Sequence, residues 1–208
     1  CSSDLGRQLI HGGPHPLYRL VLARPGEPSQ TVTSCDARSL EWRMSDGTAA
    51  EMSFSGHGDL DLSVTCSVRL ASDSGLAHWR IAVENPTDLG VRTMFYPVVV
   101  APPSLAENGV DDCYVSGAGF GLFASRPGRV LKEVKAPVAE PEDGVPAIPT
   151  NFCRGEYPGP VTVQMQAYYG PYTGLYSATY DSGGHVKRFG YTPSDDGSGL
   201  EIVVEHHY

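Results

Sequence analysis

Between Asp181 and Arg188 (DSGGHVKR) the chain gathers one carboxylate, one imidazole and two cations: Asp181, His185, Lys187 and Arg188. A carboxylate accepts hydrogen bonds, ammonium and guanidinium groups donate them, and an imidazole does either. Such a set can grip sugar hydroxyls or reach into the active site of an adjoining domain. The plainer reading is a turn in which Asp-Ser-Gly-Gly serves its own backbone while the cations are solvated. Tyrosines surround this stretch at positions 168, 169, 172, 176 and 180. A sugar ring stacks on an aromatic face, but tyrosine is also a favoured strand residue that packs on a sheet with its hydroxyl wet. Tyr172 sits in a turn sequence and is the one expected to stand free. The candidate carbohydrate-binding residues are therefore Tyr172, Asp181, His185, Lys187 and Arg188.

Other chemistries find less to work with. A ring-opening epimerase needs a glutamate base and a histidine acid that converge. Glu84, Glu201, Glu205, His78, His206 and His207 fall on expected strands, and their spacing says nothing about convergence. His206-His207 also reads as a solvated pair at a chain end. No HxH, HExxH or EF-hand pattern occurs, so neither a metal nor another cofactor is expected. Asp111-Asp112 and Asp195-Asp196-Gly197-Ser198-Gly199 read as ordinary acidic turns before weak calcium sites. GxSxG is absent, and Ser116-Gly117-Ala118-Gly119 lacks the strand–turn–helix setting of a nucleophile or phosphate loop. Glycosidase chemistry requires two carboxyl groups across one sugar bond, which the sequence cannot pair.

The elements that must hold these residues are strands. From Val161 to Tyr169, Val161, Val163, Met165, Ala167 and Tyr169 alternate with Thr162, Gln164, Gln166 and Tyr168, the period of a strand with one dry and one wet face. Gly170-Pro171-Tyr172-Thr173-Gly174 turns the chain, which returns over Leu175 to Tyr180 and reverses again at Asp181-Ser182-Gly183-Gly184. Earlier, Leu62, Val64, Cys66, Val68 and Leu70 share one face, and Trp79, Ile81 and Val83 answer them across Ser72-Asp73-Ser74-Gly75. Asp46-Gly47 is a hairpin signal. Pro97, inside the expected strand Val91–Val100, suggests an edge or a bulge. No segment before Val100 repeats with helical period. The expectation is an all-β fold, a two-sheet antiparallel β-sandwich.

The order Tyr157-Pro158-Gly159, Met165-Gln166, Gly174-Leu175-Tyr176, Asp181, Gly184-His185 and Lys187-Arg188-Phe189 resembles a β-sandwich near the N-terminus of large bacterial proteins classed as glycoside hydrolases. The resemblance is strongest over Tyr157–Phe189, weaker over Leu9–Leu20 and Arg80–Val100, and absent elsewhere. It implies a supersandwich of the galactose-mutarotase type that precedes a catalytic (β/α)8 barrel in the same parent chain. The domain would then be non-catalytic, supporting the barrel and lending a loop to the sugar site. A free-standing aldose epimerase and a carbohydrate-binding sandwich module stay open as alternatives.

Composition fits this picture. At 208 residues, with 24 glycines and 17 prolines, the chain suits one turn-rich domain, residues 1–208. A proline-rich excursion is expected at about 125–160. The net charge of −9 argues against a nucleic-acid partner, and no run approaches the ~20 apolar residues of a membrane helix. Five cysteines without CxxC spacing read as buried thiols with at most one pair. Cys1-Ser2-Ser3-Asp4 reads either as the lipidated start of a mature bacterial lipoprotein or as a cut in a longer chain, so the compartment stays open between cytoplasmic and secreted or lipid-anchored.

Overall fold

The computed structural model describes residues 10, 13, 15–106, 112–117, 122–127, 155–158, 163–194 and 197–208. Most of the expected proline-rich excursion lies outside them, as do Asp111, Val161, Thr162, Asp195 and Asp196. The described chain is all-β and antiparallel, a sandwich-class architecture with no closed barrel. It divides into two compact units, residues 16–97 and residues 98–208 with the segment up to His15.

In the first unit, β1 (Arg19–Ala23) pairs on one side with β2 (Gln30–Thr33) and on the other with β7 (Gly90–Ala101). A second sheet runs in the order β3 (Ala37–Ser45), β4 (Ala49–His57), β5 (Leu60–Leu70), β6 (Ala77–Glu84). Between the sheets, Leu20 and Leu22 of β1, Val32 of β2, Phe54 of β4, Leu62, Val64 and Cys66 of β5, and Met94 and Tyr96 of β7 form one buried cluster. Trp79, Ile81 and Val83 pack against it partly buried. The alternation of β5 and β6 thus chooses the expected face, except that Val68 is only partly buried and lies outside the cluster, and Leu70 at the strand end is exposed. Burial pushes the Cys66 thiol up to about 12, which makes it a packing residue and not a nucleophile. The β3–β4 turn carries Asp46 and Gly47 at φ 50° and 69°, as the Asp-Gly signal requires.

The register of β7 with β1 ends at Phe95, so the missing Pro97 N–H is not needed by that ladder.

A bulge between Ser55 and His57, with Gly56 at φ 63°, turns the His57 ring inward. There Nδ1–H donates to the Leu62 carbonyl at 3.1 Å, which leaves Nε2 to accept the Tyr18 hydroxyl at 2.6 Å. This arrangement suits the neutral ring, and burial lowers the His57 pKa. Its folded pKa lies below the unfolded one, so the unfolded chain binds the proton first as pH falls. Stability from this residue is therefore complete above the unfolded histidine value of about 6.5 and is lost as pH drops from there through the folded value. Melting curves at about pH 7 and about pH 5 are expected to show a smaller Tm loss for His57→Gln than for the parent chain.

In the second unit, β13 (Lys187–Pro193) pairs with β10 (Gly155–Tyr157) and with β14 (Leu200–His207). The other sheet runs β12 (Gly174–Ala178), β11 (Met165–Tyr169), β8 (Cys113–Ser116), β9 (Leu122–Ser125). Tyr114, Tyr168, Tyr191, Leu200, Ile202, Ala101 and Leu105 make its main buried cluster. The alternation over Met165–Tyr169 is real, but Gln166 and Tyr168 form the buried face while Val163 and Tyr169 are exposed. Polarity does not drive this face outward because its polar atoms are satisfied inside. Gln166 accepts from the Tyr114 hydroxyl at 2.7 Å and donates to the Val203 carbonyl at 3.1 Å. The Tyr168 hydroxyl donates to the Pro102 carbonyl at 3.1 Å.

Candidate functional site

The turn between β12 and β13 is organised by Asp181. Its Oδ1 accepts the Gly183 N–H at 2.7 Å, and its Oδ2 accepts the His185 N–H at 3.0 Å. The same Oδ2 receives the His185 Nδ1 at 3.0 Å and the Lys187 ammonium. Glycine suits the two positions after Ser182. A Cβ on Gly183 would come within 2.7 Å of the His185 ring, and Gly184 takes φ 67°, a region that other residues enter at a cost. The Lys187 ammonium and the donated N–H groups hold the Asp181 carboxyl well below the usual carboxylate range. Asp181 is therefore ionised at neutral pH, and its lone pairs are taken up by the turn. It is poorly placed to move a proton.

Lys187 is buried, while the His185 side chain is 71% exposed. The Lys187 Nζ donates to Asp181 and to the His185 carbonyl at 2.9 Å, and it lies 5.8 Å from the centre of the Tyr157 ring. Register explains its neighbours: Lys187 stands opposite Tyr157 on β10 and opposite His206 on β14. Around this pair opens a cavity of about 240 Å³ lined by Asp181, His185, Lys187, His206, His207 and Tyr208.

Arg188 does not join the group. Successive strand residues point to opposite faces, so the Arg188 side chain leaves on the other side of β13. There it meets Glu156 at 2.9 Å and Glu205 at 3.5 Å, residues that stand opposite it on the two flanking strands. It is a cross-strand tie. Glu205 also contacts His207, with Oε1 and Nε2 2.9 Å apart. A glutamate and a histidine thus do converge on β14, but onto each other, with no room for a sugar ring between them. Tyr172 is 87% exposed at the β11–β12 turn, as expected, yet it does not line the cavity. Tyr168 is buried, whereas Tyr176 and Tyr180 are exposed.

Three of the five expected residues therefore meet, Asp181, His185 and Lys187. His206, His207 and Tyr208 join them through the β13–β14 register, which the local sequence does not display. Asp112, considered with the calcium turns, is buried and accepts the Leu105 and Ala106 N–H groups at 2.9 and 3.0 Å. Among the described residues no three His, Cys, Asp or Glu side chains come together as metal ligands, and no helix is long and apolar enough to cross a membrane. Compared with models of known protein families and with curated protein sequences, the chain matches none.

Proposed function

We propose that this chain is a non-catalytic β-sandwich domain of a glycoside hydrolase, of the mutarotase-like supersandwich kind, whose β13–β14 cavity contributes to a sugar site. The observation that carries the reading is the cavity itself. Its strongest charges, Asp181 and Lys187, already neutralise each other, so the lining favours neither an anionic nor a cationic ligand. What remains directed outward is polar: the His185 ring and Tyr208, which is 70% exposed. Imidazole and phenol groups hydrogen-bond hydroxyls and give a ring face to stack on. At about 240 Å³ the cavity is smaller than the roughly 300–1,000 Å³ of a drug-sized site. It suits one sugar residue or the edge of a longer chain. Among the described residues that line it, Asp181 is the only carboxylate side chain; hydrolysis needs two, which supports a reading in which a separate catalytic barrel does the chemistry.

Heteronuclear NMR titration of the 208-residue chain with neutral monosaccharides and oligosaccharides tests the reading. Expected are weak, saturable shifts at His185, His206 and Tyr208, lost in His185→Ala and Tyr208→Ala without a change in melting temperature. Absence of shifts with every sugar in the panel overturns it. A reading frame that continues for several hundred residues past Tyr208 separates the barrel-bearing enzyme from a free-standing module.

A further inference from the structure

Strand β3 is an edge strand: among the described residues only β4 pairs with it. It is nine residues long and exposed along nearly its whole length, without proline and without a bulge. Long regular edges of this kind invite pairing with another chain, and proteins usually blunt them. On one face it carries Leu40, Trp42 and Met44, exposed by 54%, 68% and 61%. These residues extend the apolar face that Phe54 and Met52 begin on β4, so β3 overhangs the core. On the other face stand Ser39, Glu41, Arg43 and Ser45. Arg43 reaches Glu51 at 2.8 Å. Glu41 stands opposite Ser53 and has no ion-pair partner among the described residues.

The order of these residues is self-complementary. Read outward from Trp42 in both directions, SLEWRMS places Glu41 against Arg43, Leu40 against Met44 and Ser39 against Ser45. We propose that β3 is a dimerisation strand, pairing antiparallel with β3 of a second copy of this chain about a two-fold axis at Trp42. An isologous interface requires that residue i meets residue j and j meets i. Here that rule places Glu41 of each copy opposite Arg43 of the other, twice over. It also stacks the two Trp42 side chains at the axis and sets Leu40 beside Met44, cross-strand pairs of the stabilising kind. A two-fold axis perpendicular to the sheet keeps both apolar overhangs on one side, so the two stripes become one shared surface. The backbone N–H and C=O groups on the open edge of β3 supply the ladder.

Sedimentation velocity on the 208-residue chain, from micromolar to millimolar concentration, tests this pairing. The parent chain is expected to form dimers. Glu41→Arg alone sets Arg against Arg, Arg43→Glu alone sets Glu against Glu, and each is expected to be monomeric over the range where the parent is dimeric. The double swap Glu41→Arg with Arg43→Glu restores both pairs and the dimer. An equimolar mixture of the two single variants forms a heterodimer, because each copy then meets its opposite at both positions. Trp42→Lys, which sets two ammonium groups on the axis, is a further disrupting variant should either charge variant fail to fold, and circular dichroism reports folding. A parent chain that stays monomeric throughout overturns the proposal. So does a dimer that survives the single swaps, or single variants that fail to associate when mixed.

Discussion

Val64→Asp is expected to abolish the cooperative folding of the first unit, while Arg69→Asp on the same strand leaves it almost unchanged. Val64 has no exposure and lies in the cluster formed by Leu20, Leu22, Phe54, Met94 and Tyr96. A carboxyl group there has no donor placed for it, and it must either stay charged in an apolar medium or take up a proton. Deeply buried carboxyls titrate about 4 units above their normal range, so keeping one neutral at pH 7 while the unfolded chain ionises costs about 4–5 kcal/mol. Lost packing of the valine methyls adds about 1–2 kcal/mol. Whole domains have only about 5–15 kcal/mol in hand. Arg69 is exposed at the end of β5, where substitutions usually stay within about 0.5 kcal/mol. Thermal melts followed by circular dichroism separate the two outcomes, and a cooperative melt of Val64→Asp near the parent Tm sinks the assignment of this face to the core.

The contrast between those two positions marks what a local pattern can disclose. In β5 the apolar residues recur at every second place and the intervening ones are Ser, Thr and Arg, so period and polarity agree. In β11 they disagree. The period is visible, but the face with Gln166 and Tyr168 is the buried one. Tyr114, Val203 and Pro102, which meet those polar atoms, come from far along the chain. The site divides the same way. Asp181, Gly183, Gly184 and His185 form a local turn whose chemistry their spacing announces. His206 reaches Lys187 only through strand register. The separation of Arg188 from Lys187 was open to inference from strand alternation alone, once β13 was known to begin at Lys187. The division of the chain at Pro97 and Val98 leaves no mark in composition, which changes instead in the proline-rich middle.

The buried amide of Gln166 gives the second large effect, because it ties the two sheets of its unit together. Its Oε1 accepts the hydroxyl of Tyr114 on β8, and its Nε2 donates to Val203 on β14 and to Ser177 Oγ on β12 at 3.3 Å. Leucine has nearly the same volume and fills the space, so Gln166→Leu removes the hydrogen bonds without opening a cavity. Tyr114 and Val203 then lose this partner inside a dry core, at about 1–3 kcal/mol for a buried group deprived of its bond. Tyr114→Phe removes only one arm and is expected to cost about 0.5–1.5 kcal/mol. If the amide works as a unit, the double variant loses less than the sum of the two, with a coupling energy of about 0.5–3 kcal/mol in denaturant titrations. Strictly additive losses would show that Tyr114 and Gln166 act independently. The cavity provides a second readout, since Val203 lies on the strand that delivers His206, His207 and Tyr208 to it. In Gln166→Leu the amides from Val203 to Tyr208 are expected to exchange faster than in the parent chain, while those of β3 to β6 keep their protection. Sugar-induced shifts at His185 would weaken with them, although no substituted side chain touches the cavity.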